Sequence, residues 1–268
     1  MSAIDAFRIL DAAWALGVRA FDTAEAYGES ASRLKAWIDA RGYADSVEVV
    51  TKCRVDSSGE AETALEASAD AALSRFAGIG RLLLLTHGAV AADRWPAVIA
   101  ATTRRRAKPG QSVYSPAEVK AACALPGIER LQVPGNVLDQ RAIIARGSAA
   151  VCLDLRSVYL QGVLLDDPET ADLRAPGAGR ITAALQAAAA GVDSSLATLL
   201  VASALTILGP RDRVVVGVDA ESELAALRDA FEIPGVTVGQ FQKTVGHLTV
   251  DPSLGRILDP RQWPQAVQ

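Results

Sequence analysis

The chain is poor in the residues that hold metals and disulfides. Its three cysteines, Cys53, Cys123 and Cys152, are an odd and scattered set with no C-x-x-C spacing. They read as small buried hydrophobes in a reducing compartment rather than as a disulfide frame or a zinc site. Two histidines, His87 and His247, are too few for a histidine-rich metal centre, and no metal is expected. Excess positive charge is missing too: 27 Lys and Arg against 31 Asp and Glu leave a net charge of −4. With no basic stripe to neutralise phosphates, a nucleic-acid partner is not expected. No apolar run reaches the ~18 residues of a membrane span. The longest candidate, SSLATLLVASALTILG at 194–209, is short and carries several hydroxyls. The opening MSAIDAFRIL contains an acid and lacks a basic region ahead of an apolar core, so it is not expected to be a secretory signal. These absences point to a cytoplasmic globular protein.

What is present is regular alternation. Short β-rich runs occur at 18–21, 47–52, 81–87, 110–115, 130–134, 150–157 and 213–218. Alanine-rich amphipathic stretches lie between them, among them AFRILDAAWALG, SRLKAWIDARG, AETALEASADAALSRFAG, PAEVKAACALPG and ESELAALRDAF. Several end at glycine, as helix C-termini prefer. Runs that are apolar throughout suit parallel strands buried on both faces. Strand–helix repetition over 268 residues, 50% of them hydrophobic, predicts one α/β domain spanning residues 1–268. No G-x-G-x-x-G follows the first strand, which argues against an open dinucleotide-binding sheet. Polar residues recur instead at the C-terminal ends of successive strands: Asp22, Lys52, His87, Ser112, Gln132 and Arg156. A barrel brings such positions to one mouth. The expected fold is a TIM-type (β/α)8 barrel, complete or short of its first strand, since only seven runs are found and the first is preceded by a helix. The segment around 158–193, rich in Gly, Pro and Asp, reads as a long connection serving as an active-site loop.

Asp22, Tyr27, Lys52 and His87 form a chemically coherent set. A tyrosine with a pKa of ~10 is a poor acid at neutral pH. A nearby ammonium favours the phenolate, a carboxylate fixes the lysine, and a histidine orients a carbonyl oxygen. Such a group donates a proton to an alkoxide, or works in reverse as a base. Taken alone, Asp22-Thr23 reads equally well as the cap of the next helix. His247 reads as a tail residue, TRRRAKPG at 103–110 as a basic helix end, and Trp263 as a side chain packed on the barrel.

The stretch LGVRAFDTAEAYGES, followed by VVTK and LLLLTHG, resembles the aldo-keto reductase family. The resemblance implies that Asp22, Tyr27, Lys52 and His87 are the catalytic tetrad. It extends through QSVYSPAEV, RLQVPGNVLDQR, RSVYLQGVLL and RVVVGVDAESELAAL, covering nearly the whole chain. It implies a nicotinamide cofactor, NADP(H) or NAD(H), with Ser112 and Gln132 at the nicotinamide. Arg156 would stand where an aromatic ring often stacks, and Gly217, Asp219 and Glu223 would lie in the adenosine-phosphate region.

Three departures accompany the resemblance. The usual N-terminal hairpin and first strand with its G-T pair are missing, and an unpaired barrel edge would invite homo-oligomerisation. Acidic Asp219, Glu221 and Glu223 replace basic residues beside the 2′-phosphate, which disfavours NADPH relative to NADH. Arg156 in place of an aromatic residue offers a fork for an anion, and Val113 follows Ser112 where asparagine is common. The expected function is reduction of a small carbonyl compound, or oxidation of the alcohol, with Tyr27 exchanging the proton. The alternatives are a cofactor-independent lyase or isomerase with an anionic substrate at Arg156, and a non-catalytic assembly subunit.

Overall fold

A computed structural model describes residues 1–55 and 62–264. Its strands are β1 (Ala20–Asp22), β2 (Glu48–Cys53), β3 (Arg81–Thr86), β4 (Lys108–Ser112), β5 (Arg130–Pro134), β6 (Cys152–Arg156) and β7 (Arg213–Val214). The longer helices are α1 (Ala3–Ala15), α2 (Ser30–Arg41), α3 (Glu62–Arg75), α4 (Trp95–Arg104), α5 (Pro116–Cys123), α6 (Arg141–Arg146), α7 (Pro168–Arg174), α8 (Ala178–Ala190), α9 (Leu196–Thr206), α10 (Leu224–Glu232) and α11 (Gly235–Val245). The sheet runs in the order β1 to β7, each strand beside its sequence neighbour. That order belongs to a barrel; a doubly wound sheet reverses direction at a switch point. The ladders from β1 to β5 are all parallel. Of the expected single domain, residues 56–61, with Ala61 at the start of one expected helix, and residues 265–268 lie outside the described residues.

By its contacts the chain divides into two compact units whose sequence ranges interleave. The first comprises Met1–Val133, Ala142–Asp154 and Val218–Glu221; the second comprises Pro134–Arg141, Leu155–Gly217 and Ser222–Gln268.

In the first unit, register decides what faces inward. Register partners in a ladder point to the same side of the sheet, and so do residues two apart in a strand. Asp22 pairs with Val50, and Lys52 follows two residues later. Val50 pairs with Leu83 and Lys52 with Leu85. Leu85 pairs with Gly110, and Ser112 with Gln132. All these side chains therefore lie on one face. Val50, Leu83 and Leu85 make a small apolar cluster there, and the polar residues lie toward the C-terminal ends. In a flat sheet β1 and β5 would stand roughly 19 Å apart, four strand spacings. Yet the Gln132 Nε2 amide donates to Asp22 Oδ1 at 2.8 Å, so these five strands curl until their first and last face each other.

Gly110 is what lets β3, β4 and β5 approach. A Cβ at this position would lie 2.4 Å from the Arg130 carbonyl oxygen and 2.5 Å from Leu85 Cδ2. Gly110→Ala is expected to destabilise by about 1–3 kcal/mol through overpacking against backbone, read as a lower urea midpoint. Outside β1, α1 and α2 enclose an aromatic group in which Trp14 stacks on Tyr43 at 3.8 Å. Trp37 is buried beside it and donates to Asp11 at 2.8 Å, while Asp11 also takes the Arg41 fork at 2.9 and 2.6 Å.

The second unit corrects one expectation. The 158–193 segment is not a long loop: it holds a 3-10 turn at Val163–Leu165, then α7 and the whole of α8. The Gly, Pro and Asp that suggested a loop serve as helix starts. Asp167 caps α7 by accepting from the Thr170 amide at 3.0 Å, with Pro168 in the first helical position. Gly177 supplies the left-handed backbone ahead of α8, at φ 94°. Ala178, Ile181, Leu185 and Ala188 recur at helical spacing and are buried against Leu199, Leu200 and Phe241. β7 is shorter than the expected 213–218 run, although the Val215 amide still donates to the Leu155 carbonyl at 2.7 Å. Trp263 packs on this core and donates to the Ile257 carbonyl at 2.9 Å. Among the described residues no helix is long and apolar enough to cross a membrane.

Candidate active site

Six of the ten residues singled out in the sequence lie in the strands and loops of the first unit that form its polar end. Asp22 ends β1, Lys52 is next to last in β2, His87 follows β3 directly, Ser112 ends β4, and Gln132 is central in β5. Tyr27 stands in the turn that joins β1 to α2. That turn is tied to β2, because the Thr23 amide donates to the Val50 carbonyl at 2.8 Å and Glu25 to that of Lys52 at 3.3 Å. The capping reading of Asp22 fails. α2 begins at Ser30 with Glu29 in the cap position, seven residues beyond Asp22.

Lys52 is 1% exposed, and a buried ammonium survives only with partners. It donates to Asp22 Oδ2 at 2.5 Å and to the Thr23 carbonyl at 3.1 Å. Its Nζ stands 5.2 Å from the centre of the Tyr27 ring. Tyr27 is 47% exposed, and the His87 ring meets it edge-on, with centroids 5.9 Å apart. The group is thus graded: a buried ion pair at the floor, a phenol at the rim, and an imidazole beside the phenol. Ser112 is buried and lies on the same face as Gln132, its register partner. Cys53 adjoins Lys52, but burial and then the Glu25 carboxylate push its thiol up to about 12, so it is no nucleophile at neutral pH.

The remaining candidates have different settings. Arg156 ends β6 half-buried and donates to Ser157 Oγ at 3.3 Å. Gly217, Asp219 and Glu223 are exposed, and Glu221–Glu223 form a 3-10 turn ahead of α10. Sequence reasoning overlooked Tyr159, which burial, followed by the Glu223 carboxylate, pushes up to about 12. It also overlooked the hydrogen bond from Gln132 to Asp22, for which no local pattern gives a signal because the residues are 110 positions apart. His247 is exposed, with Nδ1 against the Thr244 carbonyl, as the tail reading expected. In TRRRAKPG, Arg104 is engaged by Glu66 and Asp70, both at 2.7 Å. Among the described residues no three His, Cys, Asp or Glu side chains converge to hold a metal.

Residues 1–84 match the model of the aldo/keto reductase family. No curated protein matches the chain in sequence. Among solved structures, a glycerol dehydrogenase from Gluconobacter oxydans superimposes with a TM-score of 0.71 at 14% identity, covering 92% of this chain and 88% of that one. An aldo/keto reductase from Klebsiella pneumoniae, solved with NADP and acetate, gives 0.68 at 17% identity over 90% and 85%. An aldo-keto reductase of the silkworm Bombyx mori gives 0.61 at 17% over 89% and 77%. Seven sequential strands alternating with helices are the (β/α)8 arrangement of these proteins less one strand among the described residues. The chain is therefore similar to the aldo/keto reductase family in sequence over residues 1–84, and has the aldo-keto reductase fold over about nine-tenths of its length.

Proposed function

We propose that this chain is a nicotinamide-dependent oxidoreductase of the aldo-keto reductase type, acting as one domain in the cytoplasm on a small carbonyl compound or its alcohol. The observation that carries this is the Asp22–Lys52 ion pair buried directly beneath a half-exposed Tyr27 flanked by His87. The cofactor, when bound, supplies the two-electron reduction of the carbonyl carbon. The chain's own residues handle the proton. Asp22 keeps Lys52 charged and in place. The Lys52 ammonium lowers the cost of negative charge on the Tyr27 oxygen, so the phenol gives a proton to the developing alkoxide and recovers it in the oxidative direction. His87, beside Tyr27 at the exposed rim, orients the carbonyl oxygen. Ser112, buried at the end of β4 on that face, is the side chain assigned here to the nicotinamide carboxamide.

A nicotinamide fits this polar end; the 2′-phosphate of NADP(H) fits the remainder poorly. Asp219, Glu221 and Glu223 are all solvent-exposed carboxylates in the segment that would meet it, and they repel a dianion. NADH is accordingly expected to bind more tightly than NADPH, by about 10-fold, corresponding to one unfavourable charge contact of about 1.4 kcal/mol. Titration against intrinsic tryptophan fluorescence measures both affinities, since Trp14, Trp37, Trp95 and Trp263 are native probes. Binding of neither cofactor at millimolar concentration would sink the oxidoreductase reading. A lyase or isomerase acting on an anion held by Arg156 would then become the better account.

A further inference from the structure

The resemblance assigns Gln132 to the nicotinamide, but its observed partner is the acid–base group. We propose that Gln132 is a positioning residue: its amide, donating to Asp22 Oδ1, holds the carboxylate in the orientation in which Oδ2 meets Lys52, and thereby holds the ammonium beside Tyr27. This rests on the proposed role of Tyr27 as proton donor. An ionised carboxylate only accepts hydrogen bonds, so the side of the amide facing Asp22 is its NH2. One donor on one oxygen leaves a carboxylate free to swing about its Cβ–Cγ bond. Donors on both oxygens, Gln132 at 2.8 Å and Lys52 at 2.5 Å, define its plane. The two donors come from β5 and β2, two strands that are not neighbours in the sheet. Gln132 is 1% exposed, which leaves its own side chain little room to move. The titratable groups around this pair are Lys52 from β2, Tyr27 from the turn after β1 and His87 from the end of β3; Arg130 lies on the same face of β5, two residues before Gln132, and is paired at 2.7 Å with the buried Asp154 of β6.

Gln132→Met and Gln132→Glu keep the length of the side chain and separate positioning from cofactor contact. The first readout is the ultraviolet titration of Tyr27, taken as the difference between each protein and its own Tyr27→Phe counterpart; it needs neither cofactor nor turnover. Gln132→Met is expected to ionise Tyr27 at higher pH than the wild type, because Asp22 loses a neutralising donor and Lys52 a fixed partner. With turnover, kcat should fall about 10- to 100-fold while NADH affinity stays within about twofold. Gln132→Glu should show the same defect at pH 8 and recover relative to wild type as pH falls toward 5. A neutral carboxyl donates to Asp22 Oδ1 in place of the amide, whereas an ionised one repels it. An unchanged Tyr27 titration in Gln132→Met overturns the proposal. Weakened NADH binding with an unaltered pH profile overturns it as well and returns Gln132 to the nicotinamide. If the wild type reduces no carbonyl, the proposed function fails by itself, and the tyrosine titration still decides the role of Gln132.

Discussion

Tyr27→Phe is expected to lower kcat by about 10²–10⁴-fold, the range that general acid catalysis contributes, while NADH affinity stays near that of the wild type. The substitution removes one oxygen and nothing else. The ring keeps its edge-on contact with His87 at 5.9 Å and its place above Lys52, and a side chain that is 47% exposed bears little of the core. The phenol is the rim group of the assembly, and the charges beneath it are held by a buried pair that the variant leaves intact. Steady-state kinetics with a panel of small aldehydes and ketones, run beside the fluorescence titration, separate chemistry from binding. Retention of turnover within about threefold removes Tyr27 from proton transfer, because no lost general acid costs so little. Any Tyr27-dependent turnover also rejects the reading of the chain as an idle assembly subunit.

The second large effect is on stability. Asp22→Ala removes the carboxylate from the Lys52 ammonium, whose side chain is fully buried and which also donates to the Thr23 carbonyl. Breaking a buried ion pair from one side typically costs about 3–5 kcal/mol. Lys52→Met should cost less, because the orphaned Asp22 carboxylate keeps the Gln132 amide and is 17% exposed. The double variant should be more stable than Asp22→Ala alone, since no uncompensated charge remains. Urea midpoints at constant m-value give all three numbers. The pH dependence has a defined sign. Without Asp22, burial disfavours the charged lysine in the folded state, so the unfolded chain binds that proton more tightly. Stability of the variant therefore rises with pH relative to the wild type, and its deficit narrows between pH 7 and 10. Equal costs for the two single variants would show that the buried charge is not what the pair stabilises.

Strands such as β3 were legible because they are short apolar runs, and the run from 81 to 87 became β3 at Arg81–Thr86 with little change. A strand buried on both faces is largely apolar, so a run of apolar residues announces it. The 158–193 segment was misread for a related reason. Gly, Pro and Asp mark both loops and helix starts, and Asp167-Pro168 and Gly177 are starts. Only the burial of Ala178, Ile181 and Leu185 against α9 and α11 distinguishes the two. The order Asp22, Tyr27, Lys52, His87 was likewise visible as an ordered motif, carried on three strands and the turns that follow them.

Composition, periodicity and motif order are properties of neighbours in the chain, and they were enough for the α/β class and the seven strands. Which of those residues touch is another matter, because strand curl and ladder register bring together positions remote in sequence. The placement of Lys52 under Tyr27 depends on β1 and β2 pairing with Asp22 opposite Val50; a slip of one residue would turn Lys52 to the other face. The approach of β5 to β1, which puts Gln132 on Asp22, needs five strands to curl and a Gly110 without a side chain in their path. Local sequence carries the chemistry of each group, and the long-range packing of the sheet sets the distances on which that chemistry depends.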